Sequence, residues 1–135
     1  MPFEVHYSSD FYRIEVNVAD NLLRSEWLRA VSKVEMVTGG TKLMEALQET
    51  VVELAIADAR VLTALTSETK EWMATKFYEL LSKTNLKRLA RITPSDLFSK
   101  IALESVATRS EALNITKFSV MNFTDPEEGL RWLLS

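Results

Sequence analysis

The sequence predicts an α/β fold: a mixed sheet, antiparallel at first and then with parallel C-terminal strands flanked by helices, in the order βββαβαβαβα. Three observations carry that expectation. Phe11 to Val18 alternates apolar and polar side chains with the two-residue period of a half-buried strand. Beyond Ser32, capped segments with a helical apolar period take turns with short apolar runs. A strand, a helix and a strand in succession normally leave the two strands adjacent and parallel.

Taken in order, Phe3 to Tyr7 reads as a first strand and Ser8-Ser9-Asp10 as a hairpin turn. Phe11 to Val18 then sets Tyr12, Ile14, Val16 and Val18 on one face and Arg13, Glu15 and Asn17 on the other. Ala19-Asp20-Asn21 breaks the run before Leu22 to Leu28, where Leu23 and Trp27 share a face with Ser25. This is an antiparallel meander. Ser32 and Glu35 match a capping box, and Met36, Leu43 and Leu47 keep the helical period across Gly39-Gly40 to about Gln48. Two glycines inside a helix cost about 1 kcal/mol each relative to alanine. Either the helix kinks there or another backbone packs unusually close.

Val51 to Ala57, with Glu53 its one charge, reads as a strand covered on both faces, and Asp58 to Thr66 as a loop. Thr66 or Ser67 caps a helix with the stripe Met73, Phe77, Leu80 and Leu81, flanked by Trp72 and ending near Lys83-Thr84-Asn85. Leu86 to Ile92 is the next strand. Thr93-Pro94-Ser95 leads into a helix with Phe98, Ile101, Ala102 and Val106 on its apolar side, and Asn114 closes the loop after it. Thr116 to Phe123 alternates again. Asp125-Pro126-Glu127-Glu128 opens the last helix with a cap, a first-turn proline and acids suited to the positive helix end, and Leu130, Leu133 and Leu134 dock it.

The 135 residues suit a single domain, 1–135, without repeats or linkers. A formal charge of -3 repels a phosphate backbone, so nucleic acid is an unsuitable partner. The absence of cysteine removes thiol chemistry and fits a reducing compartment. No apolar run approaches the roughly 20 residues of a membrane span, and Met1-Pro2-Phe3-Glu4 does not open a secretory signal; a cytoplasmic protein is expected.

Four short stretches, in this order and spacing, resemble one family: Leu54-Ala-Ile-Ala-Asp58-Ala-Arg60, Glu71-Trp72, Leu86-Lys-Arg-Leu-Ala-Arg91, and Phe123-Thr-Asp-Pro-Glu-Glu-Gly-Leu-Arg-Trp132-Leu. From Trp27 to its end the chain is similar to the STAS/Sec14-like family of small bacterial proteins, often called SpoIIAA-like. The resemblance implies a SpoIIAA-like fold and no established biochemical activity for most members. Anti-sigma-factor antagonists of that likeness carry a phosphorylatable serine after a central strand, in an Asp-Ser-Ser-Gly-like context. Here Asp58-Ala59-Arg60, a longer loop and Thr66-Ser67 stand in its place. Phosphate on Thr66 or Ser67 would sit at a positive helix end. The simpler role for either is a helix cap.

Other candidates are weighed the same way. His6 is the one histidine and lies in a strand with no acid and nucleophile beside it in sequence; calcium-type loops, glycine-rich phosphate loops and a Gly-Xaa-Ser-Xaa-Gly elbow are missing. Neither metal nor cofactor is expected. Asp58 and Arg60 leave the carboxyl end of a buried strand, where open α/β sheets place ligands, and Thr93, Ser95 and Asp125 are expected at that edge. An Asp58–Arg60 pair would also be an ordinary structural contact. Lys83, Lys87, Arg88 and Arg91 form a basic group best read as a solvated face. Trp72, Phe77 and Met73 have core spacing, and would line a pocket only in a carrier.

The sequence therefore leads to a non-enzymatic STAS-like protein-interaction or regulatory module, expected as a homodimer. Its candidate ligand or partner rim is Asp58, Arg60, Thr66, Ser67, Trp72, Thr93 and Ser95. The alternative is a small-ligand or lipid-binding carrier with a Sec14-like pocket.

Overall fold

The computed structural model describes residues 3–135. Strands β1 (Glu4–Ser8), β2 (Tyr12–Asn17) and β3 (Leu22–Trp27) form the expected meander, and β4 (Leu54–Asp58), β5 (Arg88–Ile92) and β6 (Ser119–Phe123) continue it. All six lie in one sheet in sequence order. The first two pairings are antiparallel; β3–β4, β4–β5 and β5–β6 are parallel. Each helical crossover advances the chain by one strand, as the pattern of capped helices between short apolar runs requires.

Helix α1 (Lys33–Thr50) begins at the capping box: Glu35 N–H donates to Ser32 Oγ at 3.2 Å, and Ser32 N–H donates to the Glu35 carboxylate at 3.0 Å. It ends at Val51, which adopts a left-handed φ of 53° and donates its N–H to Leu47 O. The strand anticipated from Val51 therefore starts later, at Leu54. Glu53 is held instead by Asn21, whose side chain accepts from Glu53 N–H at 2.8 Å and donates to its carboxylate at 3.2 Å.

The second helical region has three pieces: α2 (Ser67–Trp72), one π-helical turn (Met73–Phe77) and α3 (Tyr78–Leu81). The added residue in the π turn brings Met73, Ala74, Phe77 and Tyr78 together on the buried side. Helices α4 (Leu97–Ala112) and α5 (Pro126–Leu133) complete the chain.

The helices divide unevenly. The main core, around Tyr12, Ile14, Leu23, Leu89 and Leu103, lies between one sheet face and the layer formed by α1, the α2–π–α3 segment and α4. A smaller core of Leu22, Ile56, Ala90, Ile92 and Leu133 lies on the other face beneath α5. Alternation explains the split: on β5, Leu89 and Arg91 point to the first face, Ala90 and Ile92 to the second.

The glycine pair lies inside one continuous helix and permits close packing there. A Cβ on Gly39 would stand 2.6 Å from the Trp27 ring, and one on Gly40 would stand 2.9 Å from Trp72 and 3.0 Å from Phe77. What approaches is aromatic side chain, rather than the backbone offered by the sequence as the alternative to a kink. Tyr12 and Trp27 stack at 3.9 Å against Gly39, and Trp72 and Phe77 stack at 5.5 Å against Gly40.

Several facing assignments differ from expectation. Val18 is exposed, because β2 ends at Asn17 and Val18 opens the turn. On α4 the inward stripe is Ser99, Leu103, Val106, Ala107 and Ser110, while Phe98 and Ile101 face outward. Two small serines lie in that stripe, so counting apolar residues favoured the wrong side; Ser110 Oγ is satisfied by Thr116 Oγ1 at 2.6 Å. The cap of α4 is Asp96, whose carboxylate accepts from Ser99 N–H at 2.9 Å. On α5, Gly129 and Leu133 face the sheet and Leu130 and Leu134 are exposed. Gly129 sets that angle, since a Cβ there would be 3.0 Å from Ile92.

Two outcomes follow. Gly39→Ala, favourable to an isolated helix by about 1 kcal/mol, is expected instead to destabilise the protein by about 1–3 kcal/mol through overpacking against Trp27, measured by urea unfolding. Glu35, held by Arg29 and by the Ser32 N–H, has its carboxyl lowered from 4.5 to about 2. A carboxyl depressed on folding contributes stability above its unfolded value and loses it as pH falls through the folded one. Stability is therefore expected to decline from about pH 4.5 to about pH 2, and Glu35→Gln to flatten that decline in thermal melts taken across the window.

Candidate functional site

At the carboxyl edge of the parallel strands, Asp58 closes β4 and meets Arg60 in a self-contained pair. Its carboxylate accepts from Arg60 Nη2 at 2.6 Å, from Nε at 3.0 and 3.1 Å, and from the Arg60 N–H at 3.1 Å. These contacts raise the Arg60 guanidinium above its ordinary value, with Glu26 and Asp125 adding to the effect from the same edge. Thr93 is buried and donates its hydroxyl to Phe123 O at 3.2 Å; Ser95 is exposed. The edge thus gathers Asp58, Arg60 and Asp125, but the Asp58 carboxylate is saturated by its neighbour and the Thr93 hydroxyl is committed to the main chain. No proton acceptor stands free beside a nucleophile in this set.

The remaining rim candidates lie elsewhere. Thr66 is the N-cap of α2, its Oγ1 accepting from Thr69 N–H at 3.1 Å, while Ser67 is exposed in the first turn. Trp72 is half-buried in the helix layer against Gly40 and Phe77. His6 pairs with Glu49 across β1 and α1 at 3.0 Å. Among the described residues, no group of three or more His, Asp or Glu side chains is arranged to hold a metal ion.

The basic group does not form one solvated face. Lys83 pairs with Glu79 at 3.8 Å and Lys87 with Glu53 at 2.7 Å, whereas Arg88 turns under α5 and donates to the carbonyls of Trp132, Leu133 and Ser135. That cation stabilises the negative end of α5. Arg91 is 4% exposed. It donates to Asn122 Oδ1 at 2.9 Å, to the Tyr78 hydroxyl at 2.9 Å and to the carbonyl of Leu103 in the middle of α4. Burial pushes the Tyr78 hydroxyl above its ordinary value, and the adjacent Arg91 charge opposes that rise. The signal for this role was the strand period, which puts Arg91 on the same face as Leu89.

Beside Arg91 a cavity of about 30 Å³ is lined by Met73, Phe77, Tyr78 and Leu103, among others. A water needs about 10–15 Å³ of such space. A far larger space lies outside the core: an open groove of about 680 Å³ between the α2–π segment and α4. Ser67, Lys70, Glu71 and Ala74 form one wall, and Ile101, Glu104, Ser105, Thr108 and Arg109 the other, with Ala112 and Leu113 at one end. Glu71 and Arg109 bridge the walls in a bidentate pair at 2.7 and 2.8 Å, which lowers the Glu71 carboxyl and raises Arg109. Next to the groove, Leu97, Phe98 and Ile101 are 63%, 83% and 52% exposed on the first turns of α4. Sequence reasoning placed Phe98 and Ile101 inside the protein and so missed this surface.

No family model matches the chain, and no curated protein matches it. Among solved structures it is similar to an uncharacterized protein of the DUF3478 family from Shewanella loihica PV-4, described as having a SpoIIAA-like fold. The likeness covers 98% of this chain and 92% of that one, with a TM-score of 0.54 and 21% identity. The chain therefore has a SpoIIAA-like fold. None of its helices among the described residues is long and apolar enough to cross a membrane.

Arg91→Lys is expected to destabilise the protein by about 2 kcal/mol in urea unfolding, because an ammonium cannot reach the three acceptors that the guanidinium fork serves. Unchanged stability would show that Arg91 does not tie α4 to the sheet.

Proposed function

We propose that this is a cytoplasmic STAS-like protein-interaction module, without catalytic activity of its own, that docks a protein partner on the outer face of α4. The observation that carries this reading is the exposure of Leu97, Phe98 and Ile101 on the first turns of α4, with Ile101 lining one wall of an open groove. Scattered exposed apolar residues are ordinary, but large ones clustered at a groove mark contact sites. The strand-edge rim supports it less well, since the polar groups there already satisfy one another. A lipid carrier finds little support in the core, where about 30 Å³ remains beneath Met73 and Phe77 and ligand pockets typically need about 300 Å³ or more.

A photoreactive side chain installed at position 98 of the full chain is expected to crosslink in cells to a defined protein. With that protein purified, Phe98→Asp should weaken binding by about tenfold or more, while folding stability stays within about 0.5 kcal/mol of the parent. If position 98 crosslinks to no protein at all, the assignment of this face is wrong.

A further inference from the structure

We infer that the occupant of the groove is a second copy of this chain, seated so that two α4 helices pair antiparallel about a two-fold axis near Ser105. The inference rests on the docking role of α4 and names its partner. A two-fold interface uses one patch twice, so whatever residue i offers to j, j must also offer to i. The α4 surface meets that requirement in shape. Its N-terminal turns carry the protruding Leu97 and Phe98, and its C-terminal turns present the small Ala112 beside Leu113 at the end of the groove. With the axis at Ser105, Phe98 lies over Ala112 of the second copy and Leu97 over its Leu113. Ser105, exposed and small, lets the two helices approach where they cross.

The charges meet the same requirement. The two walls of the groove carry four charged residues, of which Glu71 and Arg109 satisfy each other. That leaves Lys70 on the α2 wall and Glu104 on the α4 wall. Neither has an oppositely charged partner within 4.0 Å among the described residues, and both are half-buried. One unpaired cation facing one unpaired anion across a groove is self-complementary: Lys70 reaches Glu104 of the second copy, and Glu104 reaches its Lys70. A basic or an acidic partner would satisfy only one of the two. The helix itself, at 16 residues, offers an axis about 24 Å long for the contact.

Sedimentation velocity of the full chain tests this with charge exchange. The parent is expected to dimerise with a Kd in about the micromolar range. Lys70→Glu and Glu104→Lys should each weaken the dimer by about tenfold or more, since each places like charges together twice, and the double exchange should restore it. Ser105→Arg, on the exposed side of α4, should abolish it, and this variant decides the question if an exchange variant fails to fold by circular dichroism. A parent that stays monomeric at about 1 mM, about a thousandfold above the expected Kd, overturns the inference. So does a dimer that ignores both single exchanges, or one that the double exchange does not restore. Crosslinking from position 98 separates the two failures. Capture of a different protein there, with the parent monomeric, removes the second copy as occupant and leaves the docking role standing, whereas capture of no protein removes both.

Discussion

The fold depends on how closely the aromatic side chains can approach one turn of α1. Gly39 and Gly40 leave that turn without side chains, and the two stacked pairs, Tyr12–Trp27 from the sheet and Trp72–Phe77 from the next helical segment, fill the space from two sides. Interiors are packed like crystals, so a helix that gained even one methyl group here would have to move away. The distance between α1 and the sheet is thereby set, and so is the position of the π turn. Because α4 packs on that turn and on α2, its placement follows in sequence. The groove is a late consequence of two residues that carry no functional group.

Arg91 gives the second constraint. A charge taken out of water needs its hydrogen bonds supplied, and the guanidinium finds them in three elements at once: Asn122 on β6, Tyr78 at the start of α3 and Leu103 O inside α4. The acceptors are neutral, so the geometry of the fork, more than an ion pair, decides where α4 can sit. Hooking the helix at Leu103 turns Ser99, Leu103 and Ser110 toward the core and leaves Leu97, Phe98 and Ile101 in solvent. The interior is ordered by a polar anchor, and the exposed apolar surface is the other side of the same rotation.

The two sheet faces are treated differently, and this bears on where function sits. One face carries α1, the α2–π–α3 segment and α4, while α5 is the helix that covers the other, over β4, β5 and β6. The strand edge that open α/β sheets often use for ligands is here closed by the Asp58–Arg60 pair and by the bond from Thr93 to Phe123 O. Contact surface lies in the helix layer instead, between the α2–π segment and α4, where a groove and an apolar rim adjoin.

Local signals in the sequence determined the element order, the meander, the helix caps and the parallel half of the sheet. Ser32 and Glu35, Thr66, Asp125 with Pro126, and the alternation from Tyr12 to Val16 act on neighbours a few residues away, and such effects are legible without coordinates. The candidate site was legible only in part: Ser67 lines the groove and Asp58 pairs with Arg60, but Trp72 and Thr93 belong to the packed layers. The π turn, the acceptors that meet Arg91 and the outward rotation of Phe98 were decided by the tertiary structure alone. Each depends on partners far along the chain, Asn122 for Arg91 and the small Ser99 and Ser110 for α4. An apolar count cannot register a serine that is buried because it is small, nor an arginine that is buried because three distant acceptors meet it.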